Sequence, residues 1–202
     1  MVVISAAVEG ITDEAVIKRL ISEVGGIPGL VYGKNGKGVL RTKINGYNNA
    51  ARHAPWVVLV DLDHESDCAP DLCQVWIPAR SPKLCFRVAV RQVEAWLLAD
   101  RERVAGFLSV PISRIPRNPE CEDNPKQVMV NLAARSRRKD IREDMVPRPG
   151  SGRAVGPAYT SRIMEFVSAN GSGWRPVIAA KNSDSLKRAL QCIKRLIEAE
   201  TV

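Results

Sequence analysis

Apolar positions in the first half of the chain alternate between short continuous runs and helical spacing. Runs at residues 2–8, 57–62 and 84–90 have the length and composition of buried strands, and residues 30–32 can form a shorter strand. After the first run, apolar residues recur on one helical face that ends at a glycine pair: Val16, Ile17, Leu20, Ile21 and Val24, then Gly25-Gly26. This alternation predicts an α/β fold with a mostly parallel sheet flanked by helices.

The second half of the chain has a helical pattern after a proline-rich interruption. Prolines at 111, 116, 119 and 125 predict that regular structure lapses between 111 and 126. Helices are predicted at 126–134, 159–167 and 185–196. We therefore predict an α/β catalytic domain at 1–110 and a helical extension with a basic loop at 111–202, packed on the first domain.

Composition favours an ordinary globular protein with a basic surface. The 202 residues are 45% hydrophobic and 26% charged, with a formal net charge of +8. Five cysteines without a CxxC pair argue against a secreted disulfide framework and against a zinc ribbon. No apolar run approaches the ~20 residues of a membrane helix, and the N-terminus lacks signal-peptide features. We expect a cytoplasmic protein without a membrane partner, and the positive charge favours a phosphate-bearing substrate.

Carboxylates terminate two of the predicted strands. Glu9 ends the first strand and precedes Gly10, while Asp61 and Asp63 end the strand at 57–62. Two acids at i and i+2 point to the same side of an extended strand, so they can share one hard cation if the strand persists through 63. The pattern predicts a site for Mg²⁺ or Mn²⁺. The alternative is that these aspartates only terminate strands and cap the following turn.

Three connecting segments carry weaker signals. The loop Gly33-Lys34-Asn35-Gly36-Lys37-Gly38 lacks the spacing of a phosphate-binding P-loop, and we predict a solvated turn. Residues 44–53 are predicted to form a short helix and 70–75 a connector. The residues His64, Cys68, Cys73 and Cys85 match no familiar zinc spacing, so we assign the cysteines to packing.

The segment 135–153 carries seven basic and three acidic residues. It either forms a solvated surface or binds the backbone of DNA or RNA, and it lacks the interleaved aromatics that would stack on single-stranded bases. The candidate phosphate ligands are Arg135, Arg137, Arg138, Lys139 and Arg142.

Glu94 and Arg91 follow the predicted strand at 84–90, on a segment with the apolar face of a helix. Three residues apart, they can form a surface ion pair of little energetic value. Alternatively, both lie at the mouth of the sheet, where Glu94 completes a second metal site and Arg91 holds a phosphate.

Two segments resemble the motifs of a known domain family. Val8-Glu9-Gly10-Ile11-Thr12-Asp13-Glu14 and Val60-Asp61-Leu62-Asp63 match, in order and spacing, the Glu-Gly and Asp-x-Asp motifs of the Toprim domain. That domain is shared by bacterial primases, topoisomerases, recombination proteins and the nucleases of the OLD (overcoming lysogenization defect) group. Residues 91–100 are similar to a segment of small Toprim-like proteins that are often encoded near ATPases. The resemblance implies a Toprim or Rossmann-like sheet.

The resemblance also implies a function and roles for the acids. It implies a Mg²⁺-dependent nuclease that cleaves phosphodiester bonds as part of a phage-defence assembly. Asp61 and Asp63 would hold the main metal, and Glu9 would act as general acid or base or bind a second metal. Asp13 would lie near that second metal, although Asp13 and Glu14 are also typical first-turn acids of a helix. The further lysine or serine motif that OLD nucleases carry downstream is not identifiable here, so one and two metals both stay open.

Two other functions fit parts of the pattern. A non-catalytic Toprim-like module would bind nucleic acid or a partner ATPase and use the acids for metal-assisted binding. A nucleotide-sugar transferase would use the Asp-x-Asp motif on Mn²⁺, but this leaves the Glu-Gly turn unexplained.

Overall fold

Four parallel strands form the sheet in the computed structural model, which describes residues 1–66 and 68–200. They are β1 (Val3–Val8), β2 (Ile27–Gly33), β3 (Trp56–Asp61) and β4 (Leu84–Ala89), in the spatial order β2-β1-β3-β4. The predicted fold class, a parallel α/β sheet flanked by helices, is confirmed. Strands β1, β3 and β4 are mostly buried, whereas the edge strand β2 exposes Ile27, Leu30 and Tyr32.

Helices account for most of the remaining structure. They are α1 (Ile11–Glu23), α2 (Lys37–Ala50), α3 (Ala69–Trp76), α4 (Val93–Leu98), α5 (Arg101–Leu108), α6 (Pro125–Ala133), α7 (Lys139–Met145), α8 (Tyr159–Ser168), α9 (Pro176–Ala179) and α10 (Asp184–Ala199). Helices α2 and α3 bury Leu40, Ile44, Leu72 and Trp76 against alternate strand residues such as Val58 and Phe86. The other alternate positions, including Val57 and Leu59, are buried as well. Helix α1 contacts β1 and β2, and α10 contacts β4.

The strand order places a reversal of chain direction beside β1. The chain passes from β1 outward to β2, then crosses back to enter β3 on the other side of β1. The carboxyl ends of β1 and β3 therefore flank a topological switch point, the position where open α/β sheets leave a crevice for ligands. Glu9 follows β1 directly, and Asp61 is the last residue of β3.

The chain divides into two compact units at positions other than the predicted boundary. One unit contains Met1–Val90 and the segment that begins at Asp184, and the other contains Arg91–Ser183. Helix α10 joins the α/β unit because it packs on β4 and α1, whereas α4 belongs to the helical unit because it contacts α6 and α9. The proline-rich stretch forms short 3₁₀ turns inside the helical unit, not a boundary between units.

Buried polar contacts organise the helical unit around two tryptophans. Trp96 and Trp174 are fully buried, and the indole N–H of Trp174 donates to the carbonyl oxygen of Trp96 at 3.2 Å. The guanidinium of Arg175 pairs with the buried Asp100, with 2.6 Å between Nη2 and Oδ1. Pairing satisfies a carboxylate that would otherwise be costly to bury.

Four local predictions are corrected by the structure. The segment 70–75 is not a connector but part of α3. The proline in the first turn of this helix is compatible with a helix start. Helix α2 begins earlier than residue 44, and the strand predicted at 30–32 extends over the seven residues of β2. Part of the basic segment 135–153 is helical, as α7, because Ile141 and Met145 are buried on one face. Among the described residues, no helix has both the length and the apolar character needed to span a bilayer.

Candidate active site

Glu9 and Asp61 meet at the carboxyl edge of the sheet. The backbone N–H of Asp61 donates a 2.8 Å hydrogen bond to Oε1 of Glu9. Parallel pairing of β1 with β3 brings the ends of the two strands to the same edge, as the sequence predicted. The first two acids of the predicted site therefore lie together at the switch point.

The environment of Glu9 favours its protonated form. Burial raises the pKa of Glu9, and the hydrogen bond from Asp61 N–H and the nearby Lys37 ammonium only partly offset this rise. A carboxyl group with a raised pKa is better suited to hold and transfer a proton than an ordinary glutamate. The resemblance to the Toprim domain implies a role for Glu9 as general acid or base, or as a ligand of a second metal, and that role stays a prediction.

Asp13 has a structural task. It is buried, and its Oδ2 accepts a 2.8 Å hydrogen bond from the N–H of Gly10, the residue that precedes α1. This contact satisfies a helix N-terminal donor and places a negative charge where the helix dipole favours it. Glu14 forms ion pairs with Lys18 and Lys34 at 2.7 and 3.0 Å. Both acids thus serve the first turn of α1, and a metal-binding role for Asp13 stays a prediction.

Strand β3 does not continue through Asp63. A cation shared by Asp61 and Asp63 was predicted on the condition that it does. Strand β3 ends at Asp61, Leu62 is buried in the core, and Asp63 adopts a left-handed conformation with φ 49°. Leu62 is buried in the same core as Val58 and Val60, and its N–H still donates to the carbonyl oxygen of Ala89, so the chain leaves the extended path only at Asp63. The rule that i and i+2 side chains share a face therefore does not apply to Asp61 and Asp63.

A lysine that the sequence analysis assigned to a solvated turn lies among these acids. The Lys37 ammonium donates to the carbonyl oxygen of Asp61 at 2.6 Å and to Oδ2 of Asp63 at 3.1 Å. It also lies 3.4 Å from the carbonyl oxygen of Leu62 and 3.0 Å from Oε2 of Glu65. With 19% of its side chain exposed, Lys37 is not a solvated residue, and that prediction is wrong for it.

The glycine-rich loop delivers Lys37 by packing directly on β1. Gly33 has φ +88°, and a Cβ at this position would lie 2.2 Å from the carbonyl oxygen of Val8, so only glycine fits. Backbone N–H groups of Lys34 and Gly36 donate to the carbonyl oxygens of Val8 and Glu9 at 2.9 and 3.0 Å. The loop is thereby tied to the turn that carries Glu9. A lysine at the end of a glycine-rich strand-to-helix loop was the signal in the sequence.

Lys37 and Glu65 stabilise each other as charged groups. Burial alone would lower the pKa of Lys37, but hydrogen bonds to Glu65 and Asp63 raise it above its ordinary value. Burial would likewise raise the pKa of Glu65, but the hydrogen bonds from Lys37 and from the indole of Trp76 lower it. Arg41 lies 3.2 Å from Oε1 of Glu65 and adds to this effect. Glu65 is a second residue of the cluster that the sequence analysis did not select.

The acids offer the right chemistry for a hard cation but do not converge on one. Carboxylate and carbonyl oxygens are the ligands that Mg²⁺ prefers. Among residues 1–66 and 68–200, however, no group of three or more His, Cys, Asp or Glu side chains is arranged to hold a metal ion. The acidic turn formed by Asp61, Asp63 and Glu65 instead contacts two protein cations, the Lys37 ammonium and, at Glu65, the Arg41 guanidinium.

Glu94 is buried in the helical unit, with 1% of its side chain exposed. Its Oε1 accepts a 3.2 Å hydrogen bond from the Tyr159 hydroxyl and lies 3.6 Å from Nζ of Lys126. Oε2 is buried and has no hydrogen-bond partner in the described structure. The alternative of a solvent-exposed surface pair is therefore excluded, and a metal-binding role stays a prediction. Arg91, two residues after β4, has a left-handed φ of 58°.

The basic residues between 135 and 142 differ in their exposure and in their hydrogen-bond and ion-pair partners. Arg135, Arg137, Arg138 and Lys139 are exposed. Arg138 pairs with Asp140, and Lys139 lies 3.5 Å from Glu143. Arg142 donates to the carbonyl oxygen of Ser136 at 2.6 Å, which braces the turn before α7. Arg135 and Arg137 are thus the most available for phosphate contacts, because neither has an ion-pair partner among the described residues.

Fold and site together define a parallel α/β protein with an acid and lysine cluster at its switch point. The chain matches no family model, no curated protein and no solved structure.

Proposed function

We propose that the protein is a nuclease that hydrolyses phosphodiester bonds in nucleic acid at the carboxyl edge of its sheet. The observation that carries the proposal is the pairing of Glu9 with the end of β3 at the switch point. Hydrolysis of a phosphodiester needs a group that moves a proton and positive charge that neutralises the phosphate oxygens. Glu9 has the raised pKa for the first task, and Lys37 is the nearest cation for the second.

The resemblance to the Toprim domain supports the same reaction and adds a metal. Asp61 and Asp63 would hold Mg²⁺ or Mn²⁺, with Glu9 nearby, and the metal would supply charge to the non-bridging oxygens. The phage-defence assembly and the ATPase partner rest on this resemblance alone. The exposed residues of the basic segment 135–153 would hold the backbone of the DNA or RNA.

A nicking assay tests the proposal directly. Supercoiled plasmid and a labelled single-stranded RNA are incubated with the purified protein in Mg²⁺, in Mn²⁺ and in chelator, beside Glu9→Gln and Asp61→Asn. We expect metal-dependent cleavage of one substrate, lost in both variants. Lys18→Gln is a surface control, since the Lys18 side chain is 47% exposed on α1, where it pairs with Glu14. Cleavage by both acid variants at the wild-type rate would rule out this site.

A non-catalytic nucleic-acid-binding module is the second candidate, and one observation favours it. The Lys37 ammonium already contacts Asp63 and Glu65, so the acidic turn has a counter-ion without a metal. Such a module would bind nucleic acid or its ATPase partner equally well in Mg²⁺ and in chelator. Binding without cleavage under both conditions would select this candidate over the nuclease.

A further inference from the structure

A cavity of about 360 Å³ lies within the helical unit, among α5, the end of α8 and the turn that precedes α7. All of its lining residues belong to the unit Arg91–Ser183, whereas Glu9, Asp61 and Lys37 belong to the other unit. Its volume is within the range of roughly 300–1,000 Å³ that is typical of small-molecule pockets. The cavity is therefore a candidate binding site separate from the candidate active site.

The apolar wall of this cavity contains a stacked pair of aromatic rings. Phe107 of α5 and Phe166 of α8 have ring centroids 4.8 Å apart and an interplanar angle of 25°. Phe166 is buried, whereas Phe107 is only partly buried. Beside Phe107, Gly106 leaves the wall open, because a Cβ at this position would meet nothing within 4 Å. An aromatic surface next to open space suits a nucleobase, since every base has a flat face that stacks on such rings.

Two arginines supply positive charge to the same cavity. Arg103 lies one helical turn before Phe107 on α5. Its Nε is buried without a hydrogen-bond partner, and no ion pair among the described residues includes Arg103. Arg138 lines the cavity from the turn before α7 and is 45% exposed, beside its partner Asp140. Arginine is the usual ligand of phosphate groups, which it binds through charge-assisted hydrogen bonds.

Two glutamates also line the cavity, but each has an arginine of its own. Glu102 lies 2.9 Å from Nη2 of Arg175. Glu165 lies 2.9 Å from Nη1 of Arg162. Neither of these arginines lines the cavity, so the two acids are neutralised from outside it and leave Arg103 without a counter-ion. Their carboxylates can accept hydrogen bonds from the exocyclic amino groups of a base.

The cavity adjoins the basic segment 135–153. The backbone N–H of Arg137 donates to the carbonyl oxygen of Ser109, the residue that ends α5, at 3.3 Å. This contact ties the turn before α7 to α5 and places Arg138 at the cavity, next in sequence to the exposed Arg137. The basic segment has no aromatic residue of its own, but the fold places the phenylalanine pair beside it.

We propose that this cavity binds one nucleotide unit, with its base against Phe107 and its phosphate on Arg103 and Arg138. The unit is either a free mononucleotide or an unpaired nucleotide of a strand whose next phosphates lie on the basic segment. The inference goes beyond the proposed nuclease function, because it concerns binding at a second site and requires neither a metal nor cleavage.

Calorimetric titration in chelator with adenosine monophosphate (AMP), adenosine and ribose phosphate tests the site. AMP should bind more tightly than either fragment, since each fragment lacks one of the two sets of contacts. Gly106→Leu fills the cavity and should weaken AMP binding by about tenfold or more, the scale of one lost base stack. Arg103→Gln should weaken it by about tenfold, because the phosphate loses a charged donor.

Two matched controls lie in the other unit. Gly46→Leu makes the same change inside α2, where a Cβ also meets nothing within 4 Å, and its AMP affinity should equal that of the wild type. Arg188→Gln removes an arginine that is 67% exposed on α10 and should also have no effect. Thermal unfolding verifies that each variant is folded. If Gly106→Leu or Arg103→Gln is not, Phe107→Leu takes its place, since it removes the ring and keeps an apolar side chain.

Fluorescence anisotropy with a short labelled single-stranded oligonucleotide and with its blunt duplex identifies the source of the nucleotide. If Gly106→Leu weakens binding of the single strand and not of the duplex, the nucleotide belongs to a strand. If Gly106→Leu weakens binding of AMP alone, the ligand is a free mononucleotide. Both results support a nucleotide site in the cavity.

Other outcomes would overturn the inference. They are equal AMP affinity in the wild type, Gly106→Leu and Arg103→Gln, or absence of binding of both AMP and the single strand. Ribose phosphate bound as tightly as AMP would reject the base contact, and adenosine bound as tightly would reject the phosphate contact. Because binding is measured in chelator, it is independent of the nicking assay. Binding without cleavage would support the inference and reject the nuclease, and cleavage without nucleotide binding would do the reverse.

Discussion

The backbone N–H of Asp61 reaches the Glu9 carboxylate across 2.8 Å and joins the ends of β1 and β3. Because the donor is a peptide group, this bond does not depend on the Asp61 side chain. Substitution of Asp61 by asparagine should therefore leave Glu9 in place, and substitution of Glu9 by glutamine should leave a side-chain acceptor for the same bond. The two acids can be tested separately without collapse of the turn.

Glu9→Gln should reduce any cleavage activity by about 10²–10⁴-fold, the usual contribution of a general acid or base. Cleavage of plasmid or RNA by the two proteins measures this loss.

Glu9→Gln should also remove a pH dependence of the free energy of unfolding. Since burial raises the pKa of Glu9 above 4.5, the folded protein holds the proton of this carboxyl group more tightly than the unfolded chain. The stability of the wild type should then fall as pH rises from 4.5 through the folded-state pKa. Urea unfolding at several pH values measures the stability of the wild type and of Glu9→Gln. If the two proteins show the same change of stability with pH, the pKa of Glu9 is not raised.

Gly33→Ala should destabilise the protein by about 2 kcal/mol or more, because a left-handed backbone and a contact with the Val8 carbonyl both oppose a Cβ. The glycine in the middle of α2 is the matched control. Gly46→Ala meets nothing within 4 Å and should stabilise the protein by about 0.5–1 kcal/mol. Denaturant unfolding measures the change in stability of Gly33→Ala and of Gly46→Ala. Equal changes in the two variants would show that the loop does not need a glycine at position 33.

Tyr159→Phe should cost the helical unit about 1–3 kcal/mol of stability, because the buried Glu94 carboxylate loses a hydrogen-bond donor. Tyr32→Phe serves as the control, since Tyr32 is 42% exposed and a surface hydroxyl contributes within about 0.5 kcal/mol. Thermal unfolding of Tyr159→Phe and Tyr32→Phe measures the two losses of stability. A Tyr159→Phe protein as stable as the wild type would show that Glu94 does not depend on this contact.

Neutralising Arg135, Arg137 and Lys139 together should weaken nucleic-acid binding for all sequences. If each contacts one phosphate, the slope of log affinity against log salt should become shallower by about 0.9 per contact on duplex DNA. Arg142 is left intact because it braces the backbone at Ser136. Fluorescence anisotropy across a salt series measures the slope, and an unchanged slope would show that this segment is only a solvated surface.

Cys192 should be the first thiol to react with iodoacetamide below neutral pH. A hydrogen bond from the buried Cys85 thiol, together with the positive charges of Arg87, Arg80 and Arg195, lowers the pKa of Cys192 to about 6. Its alkylation rate should therefore reach half of its maximum near pH 6, as mass spectrometry of peptides will show. The exposed Cys121 is the internal reference for accessibility. Modification of Cys121 before Cys192 at pH 6 would contradict the prediction.

The sequence by itself predicted the class of the fold and the edge of the sheet where its candidate acids lie. Short continuous apolar runs are typical of buried strands, and helical patterns between several of them favour parallel pairing. Parallel strands bring their carboxyl ends to one edge, so Glu9 and Asp61 had to approach each other once β1 and β3 became neighbours. The fold class follows from local patterns, whereas the adjacency of β1 and β3 is known only from the tertiary structure.

The tertiary structure decided what the sequence could not, because the deciding contacts join residues distant along the chain. Leu62 is buried with Val58 and Val60, but Asp63 after it adopts a left-handed conformation, which takes it out of the extended geometry expected of an Asp-x-Asp strand. The local sequence of its loop predicts an exposed Lys37. Only the packing of that loop on Val8 and Glu9 brings its ammonium to the carbonyl oxygen of Asp61, which lies 24 residues further along the chain. Helix α10 joins the α/β unit for the same reason, since it packs on β4 and α1, which lie far from it in sequence.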